Sequence, residues 1–353
     1  MYILAIDTSC DETSVAISRN DIILANSISS QIELHKKWGG VVPTIAQRAH
    51  REQIDNVISE ALERAQITLD KIDVFAVTQG PGLAMALEVG VSKAKELATT
   101  YNKPLVAVNH MVGHIYANLA KTKNGRSATK MIHFPALALL VSGGHTEMVL
   151  LNNATDMQII GQTLDDAMGE AYDKVAKMLN LGYPGGPIVA RLADEGNPLA
   201  YDFPIAMRHS KTLDFSFSGL KTAVLYTIKK MTADGHEPTK QEIIDIAVSF
   251  QHVAFESIVL KLKRAVEEYQ IKQILLGGGV IANTAFRARL RTAVKPLGAS
   301  VSYPNLKKLC TDNAAMIAVA AYYQAQRGDF VKDIDGLDRD PVLAIPTLAS
   351  DID

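Results

Sequence analysis

Two histidines four residues apart, His110 and His114 in Asn109-His110-Met111-Val112-Gly113-His114, could hold a metal ion. On a helix that spacing places both imidazoles on one face, one turn above the other. Two imidazoles on one ion is a frequent donor set, although the same spacing is common on helices that bind nothing. A third ligand must come from far along the chain. Asp312, in Cys310-Thr311-Asp312-Asn313-Ala314-Ala315, stands where a helix is predicted to open. Aspartate there also serves as an N-cap. Capping alone would account for Asp312. A two-histidine, one-carboxylate centre with open positions for phosphate or water would account for it together with the histidines. A zinc hydrolase of the HExxH type is excluded, because Met111 stands where that motif needs its glutamate base.

Asp7, Asp11 and Glu12 crowd one tight turn after the first predicted strand. Carboxylates so close repel one another and are tolerated if solvated, if they face a cation, or if they act on protons. Four glycine turns could bring backbone N–H groups up to an anion: Gly80-Pro81-Gly82, Ser142-Gly143-Gly144, Gly185-Gly186 and Gly277-Gly278-Gly279. Each reads equally as a plain tight turn. Asn283 follows the last of them and could hydrogen-bond a base or ribose. The glycine–lysine phosphate loop of P-loop proteins does not occur. His35-Lys36-Lys37-Trp38-Gly39-Gly40, with Arg48, His50 and Arg51 beyond, joins cations to the only tryptophan. That mixture suits RNA phosphates and base stacking, and equally a solvated loop docked by Trp38. Arg287, Arg289 and Arg291 form a second basic cluster, which reads also as plain surface charge.

The elements that would position these groups repeat a plan. Ile3–Ile6 runs into a small polar turn and then Val15–Ile17; Leu137–Val141 runs into Ser142–Thr146 and then Met148–Leu151. The two copies stand about 135 residues apart, one domain's length, which predicts two lobes of the same design. Residues 44–65 and 85–100 have helical spacing, 73–77 and 105–108 read as strands, and the polar stretch 121–130 reads as an interlobe linker. Helices are predicted near 165–180, 219–232, 239–269 and 313–326, with a loop-rich section at 194–218 and a strand at 274–276. The expected division is a first lobe of 1–128, a second of 129–312 with inserted helices, and a helix 313–326 packing back on the first. An aspartate-rich tail, 331–353, is expected to wrap the surface or stay partly disordered.

The bulk numbers narrow the class. Apolar content of 48% and charged content of 21% over 353 residues are those of an ordinary globular protein. A net charge of −2 argues against a globally basic nucleic-acid binder and leaves room for a local patch. No apolar run approaches the ~20 residues that span a bilayer. The start reads as a strand, without a basic n-region, so the cytoplasm is the expected location and no membrane partner is expected. Cys10 and Cys310 read as reduced thiols near a site.

Nine windows together resemble one family: IDTSCDETSVAI (6–17), HKKWGGVVPTIAQRAH (35–50), TQGPGL (78–83), NHMVGH (109–114), LLVSGGHTEMV (139–149), LDDAMGEAYDKVAKMLNLGYPGGP (164–187), FSFSGLKTAV (215–224), GGVIAN (278–283) and CTDNAAMIA (310–318). They occur in the order of the universal tRNA adenosine threonylcarbamoyltransferases, a family once mislabelled as sialoglycoprotein endopeptidases. The resemblance implies an α/β fold of the actin-like, sugar-kinase and Hsp70-type ATPase class (ASKHA), two duplicated RNase H-like lobes around a cleft. It implies transfer of threonylcarbamoyl from threonylcarbamoyl-AMP to the exocyclic amine of the adenosine 3′ of the anticodon, in tRNAs that read codons beginning with A. One iron (Fe2+) or zinc is implied on His110, His114 and Asp312, and Asp11 and Glu12 at the reaction centre. Adenylate contacts, also open to ATP or ADP, are implied at Leu140, Val141, Ser142, Gly143, Gly144, Asp173, Gly186 and Asn283. The basic window would seat the anticodon arm through Lys36, Lys37, Arg48 and Arg51. Bacterial members of the family work with a paralogous pseudo-enzyme subunit and a small ATPase subunit, and mitochondrial members as homodimers. Thr44, Ala84-Met85 and Ala190 depart from the family pattern, at the last of which a ribose-contacting aspartate is usual. Two rival readings, an ATPase or small-molecule kinase on the same fold and a non-catalytic partner subunit, predict no dependence on tRNA and no need for the metal ligands, respectively.

Overall fold

Ile3–Ile6 is wholly buried because it forms the middle of β1 (Tyr2–Asp7), itself the central strand of a five-stranded sheet. The chain turns into β2 (Glu12–Arg19), which pairs antiparallel with Ile6 opposite Val15 and Asp7 opposite Ser14. Then come β3 (Ile22–Ser30), α1 (Ile32–His35), α2 (Pro43–Ala65), β4 (Val74–Gly80), α3 (Ala84–Thr100), β5 (Leu105–Asn109) and α4 (His110–Tyr116). β4 joins β1 in parallel and β5 joins β4, giving the order β3-β2-β1-β4-β5. Pro43 opens α2, where its missing N–H has no intrahelical acceptor to lose. Ile54, Val57, Ile58 and Ala61 recur along one side of α2 and, with Val91, Ala94 and Leu97 of α3, cover Leu4, Ile6, Val15 and Ile17.

The second sheet repeats the first. β6 (Ala136–Val141), β7 (Thr146–Leu151) and β8 (Met157–Gln162) form an antiparallel meander. Next are α5 (Met168–Met178), α6 (Gly185–Leu192), α7 (Ser218–Ala233), α8 (Lys240–Glu268), β9 (Gln273–Gly277), α9 (Thr284–Val294), β10 (Ser300–Ser302) and α10 (Ala314–Arg327). β9 pairs with β6 in parallel, so this sheet, read β8-β7-β6-β9-β10, has the strand order of the first. By length and composition α8 could cross a membrane, but Ile244, Phe250, Ala254, Ile258 and Leu262 are buried, which makes it a core helix.

This computed structural model describes residues 1–127, 129–233 and 235–346. They form two compact units, one of 1–132 with 302–346 and one of 133–301. α10 therefore belongs to the first unit, where it lies on β1 and β2. α5 starts later than the expected 165, for an identifiable reason. Asp165 is occupied in accepting from Phe217 N (2.8 Å) and Ser218 N (3.2 Å) at the start of α7. Asp166 is held by Lys174 (2.7 Å) and Lys221 (2.6 Å). Residues 331–346 lie along the first unit: Val331 N donates to Leu105 O (2.9 Å), and Lys95 Nζ donates to the Asp335 (2.7 Å) and Leu337 (2.9 Å) carbonyls. The rest of the expected tail, 347–353, falls outside the described residues.

Candidate functional site

β5 passes directly into α4 because Asn109 caps it. Asn109 Oδ1 accepts from Met111 N (2.9 Å) and Val112 N (3.2 Å), so His110 becomes the first helical residue. The Asn109 amide is itself gripped by the C-terminal stretch, donating to Leu343 O (3.1 Å) and Ala344 O (3.0 Å). His110 and His114 face the same way, rings edge to face at 4.8 Å. Gly113 lies against Ile317 and Met316 of α10, where any Cβ would collide with Ile317. This close approach brings the segment before α10 onto the histidines.

Asp312 is not the cap of α10. Asn313 is, its Oδ1 accepting from Met316 N (3.2 Å). The capping explanation of Asp312 is thereby corrected, and its carboxylate is left to turn elsewhere. Oδ1 lies 3.3 Å from His110 Nε2 and 3.2 Å from His114 Nε2, across 198 positions of sequence. The three donor atoms are all within 4.8 Å of one another. Two borderline nitrogens and one carboxylate oxygen at this separation fit a divalent ion. The His110 and His114 Nδ1 atoms are buried with no hydrogen-bond partner among the described residues, so no competing bond from these turns the rings away.

Burial disfavours a charged His110, but Asp312 and then Asp7 outweigh burial and lift it to about 10. Burial holds His114 below the usual histidine range against the pull of Asp312, and the charge of His110 adds to the effect. Burial works against an ionised Asp312, yet the two histidines keep it well below the usual carboxylate range. Asp7 was legible only as one of three crowded acids. It is buried at the end of β1, with Oδ1 3.7 Å from His110 Nδ1, behind the candidate ligand. A lone carboxylate closing an otherwise apolar strand is the signal that could have singled it out.

The acidic turn is fixed from three sides. Thr8 Oγ1 donates to Ala86 O (2.8 Å) and accepts from Gly90 N (3.2 Å) of α3. His50 of α2 places Nε2 3.0 Å from Cys10 O and Nδ1 2.8 Å from Thr13 Oγ1. Gln31 N donates to Asp11 O (2.9 Å). Burial pushes Glu12 well above the usual carboxyl range, and Asp11, Asp312 and Asp7 add to it. Burial, with Asp11, Asp312 and Glu12, likewise raises the Cys10 thiol, and neither cysteine forms a disulfide among the described residues.

Of the four glycine turns, one is occupied. Gly82 N donates to Pro341 O (3.1 Å) and Asp340 N to Gln79 O (2.9 Å), so the Gly80–Gly82 turn docks the C-terminal stretch and offers no open cradle. The other three lie in the second unit. Gly143 and Gly144 are exposed, a Cβ on either would meet nothing, and their N–H groups donate to nothing among the described residues. The start of α5 lies against this turn, with Gly169 N donating to Ser142 O (3.2 Å). Gly278, at φ +92°, presses on the Val141 carbonyl, where no Cβ fits. The turns after the parallel strands β6 and β9 thus meet at the carboxyl ends of those strands, a position that suits ligands in open α/β sheets. Leu140 and Val141 are buried within β6. Asp173 Oδ1 accepts from Gly185 N (2.7 Å) at the start of α6, beside Gly186. Asn283 caps α9, accepting from Phe286 N (3.1 Å), and donates to Gln251 Oε1 (3.1 Å). Gln251, not singled out by sequence, also receives Tyr172 Oη (3.4 Å) and so ties α5 to α9.

In the basic window, Lys36 lies 3.4 Å from Glu33, Arg48 2.7 Å from Glu52 and Arg51 3.9 Å from Glu88. Lys37 sits 5.3 Å over the Trp38 ring. On α9, Arg289 pairs with Glu256 (2.5 Å).

The family model for tRNA N6-adenosine threonylcarbamoyltransferase matches residues 22–319. The protein of that name from Kosmotoga olearia is 48% identical over 330 residues, covering 94% of this chain and 95% of its own length. The Moorella thermoacetica protein of the same name is 49% identical and covers 93% of each chain. Among solved structures, component A of Acidaminococcus fermentans (R)-2-hydroxyglutaryl-CoA dehydratase aligns with a TM-score of 0.54 at 16% identity, over 92% of this chain and 99% of that one. Full-length HypF in its phosphate- and nucleotide-bound form aligns with a TM-score of 0.60 at 14% identity, over 94% of this chain and 47% of that one. At such identities the likeness is one of fold, that of two-lobed ASKHA proteins.

Proposed function

The chain belongs to the tRNA N6-adenosine threonylcarbamoyltransferase family, and from that membership we propose how its residues divide the work. The protein is a tRNA-modifying transferase that places a threonylcarbamoyl group on the N6 amine of an adenosine in tRNA. In our reading the donor is threonylcarbamoyl-AMP and the acceptor is the adenosine 3′ of the anticodon in tRNAs reading codons that begin with A. The physical difficulty is attack of a weak amine on a carbamoyl carbon while AMP leaves. It calls for positioning, local charge and removal of a proton.

The first unit carries the reacting groups. His110, His114 and Asp312 hold one divalent ion, iron (Fe2+) foremost and zinc second. When bound, it supplies Lewis-acid charge for a phosphate or carbamoyl oxygen. Asp7 places a negative charge behind the His110 ring, 3.7 Å from its Nδ1. Asp11 or Glu12 accepts the amine proton. The second unit carries the turns that hold the adenylate, or ATP or ADP in its place. The backbone at Leu140, Val141, Ser142, Gly143, Gly144 and Gly186 contacts the ligand. Asp173 and Asn283 orient its nucleoside end while keeping the starts of α6 and α9 in place. Lys36, Lys37, Arg48 and Arg51 contact the anticodon arm; their glutamate pairs are exposed and weak enough to open for phosphate. A paralogous pseudo-enzyme subunit and a small ATPase complete the active assembly in the cytoplasm.

The convergence of His110, His114 and Asp312 supports this reading most strongly. The test is transfer of labelled threonine into unmodified tRNA, with bicarbonate, ATP and the adenylate-forming enzyme, with and without the two partner proteins. Incorporation that requires this chain is expected. ATP hydrolysis with no incorporation under any combination would refute the reading. A folded, metal-free His110→Ala protein with wild-type activity would refute the role given to the ion.

A further inference from the structure

Past α4 the chain forms a polar loop, described over residues 121–127 and 129–130, whose charges the reaction does not use. Its first residue is tied down. Lys121 O accepts from Ile23 N, Lys121 N donates to Asp21 O (both 2.8 Å), and Lys121 Nζ lies 2.7 Å from Asp21 Oδ2. The loop then folds on itself, Thr122 N donating to Arg126 O (2.9 Å) and Gly125 N to Thr122 O (2.8 Å). Arg126 and Lys130 are thereby presented, both exposed, on the wall of a cavity of about 920 Å³, with Asn124 and Asn305 beside them. No carboxylate lines this cavity, and neither Arg126 nor Lys130 has an acidic partner among the described residues.

The contrast with the rest of the unit is informative. Lys36, Arg48 and Arg51 each face an exposed glutamate that a phosphate must displace, whereas Arg126 and Lys130 have no such pair to open among the described residues. Two unanswered cations over a hollow with polar walls raise the local concentration of anions. The cavity has the size of the largest small-molecule sites, and Leu306 is the one apolar residue type among those lining it; the others are cationic, polar or glycine, a lining that a stretch of polyanion can follow. Its walls also continue into the ligand-bearing segments. Leu306 lies six residues before Asp312 and Lys121 seven after His114, so both walls are within about 25 Å of the metal ligands along the chain.

We infer that this loop is a phosphate-binding surface for the tRNA substrate, with Arg126 and Lys130 contacting the RNA backbone. The inference rests on tRNA being the substrate. Contacts of this kind fix the register of the RNA without reading its sequence.

The experiment compares wild type with Arg126→Ala/Lys130→Ala in the full chain, together with whatever partner proteins transfer requires. Binding of unmodified tRNA is followed by fluorescence anisotropy across a salt series, and transfer by threonine incorporation. Two lost phosphate contacts predict an affinity about tenfold weaker at 0.15 M salt and a log–log salt dependence flatter by about 1.4 to 1.8. KM for tRNA should rise by more than kcat falls. The charge-preserving Arg126→Lys/Lys130→Arg variant should keep the wild-type slope. A folded double-alanine variant with wild-type affinity and slope would overturn the inference. So would one that binds tRNA normally but loses a partner protein, which would identify the occupant as an acidic protein segment. A wild-type protein that transfers nothing to tRNA would sink the functional reading and this surface with it.

Discussion

Loading the centre with a divalent ion should release close to one proton per chain at pH 7, and His110 should be its source. Without the ion, Asp312 and Asp7 hold a proton on His110 up to about pH 10. His114 is held below the usual histidine range and Asp312 well below the usual carboxylate range, so neither carries a proton at pH 7 to give up. A metal ion needs the neutral imidazole. At pH 7 the displaced proton lies about three pH units below its midpoint, a penalty of about 4 kcal/mol on binding. The sign follows: apparent affinity should climb about tenfold per pH unit through the neutral range and level off only near pH 10. Titration calorimetry of Zn2+ into chelator-stripped protein, in buffers of different ionisation enthalpy, counts the proton directly. The same titration from pH 6.5 to 8.5 gives the slope. Affinity independent of pH in that range, with no buffer dependence of the heat, would refute the electrostatic account of the centre.

Glu147 provides a second pH test, because burial lifts its carboxyl to about 7 and its Oε2 has no hydrogen-bond partner among the described residues. The raised value means stability is full at low pH and falls as pH rises from about 4.5 through 7. Glu147→Gln should therefore be more stable than wild type at pH 8, by at most about 3 kcal/mol, with the gap closing below pH 5 in urea titrations. Gly278→Ala places a Cβ on the Val141 carbonyl at φ +92° and should cost about 1–3 kcal/mol, read as a lower urea midpoint at unchanged slope. Asn313→Ala removes the cap of α10 and should cost about 1 kcal/mol of stability, while speeding metal loss to a chelator because Asp312 precedes that cap. In metal-free protein the stability drawn from His110 should be complete below about pH 6.5 and vanish as pH rises through about 10.

Much of the architecture could be read from period and turn chemistry. Ile54, Val57, Ile58 and Ala61 announced α2, and the expected span of 44–65 differs from Pro43–Ala65 by the proline alone. The echo of strand, small turn and strand at 3–17 and 137–151 corresponds to two sheets of one strand order. The His110–His114 pair was visible as spacing, and Asp312 could be joined to it only as one of two readings, a third ligand or a helix cap, because separation along a chain says nothing of separation in space. Two residues that could both cap a helix stood side by side, and pattern alone could not choose Asn313 over Asp312. The plugging of the Gly80 turn was equally hidden. It is made by backbone carbonyls of 340–341, which every residue possesses, so side-chain pattern carries no trace of it.

The grip of Leu343 and Ala344 on Asn109 bears on how the protein is made. His110 and His114 leave the ribosome before residues 133–301, while the residue that answers them and the segment that braces their helix follow that stretch. The whole of 133–301 can form its own sheet in the meantime. A chain released between that stretch and Asp312 thus has the residues of the second sheet and both histidines but no third ligand, so the centre can be completed only after the second sheet has been made.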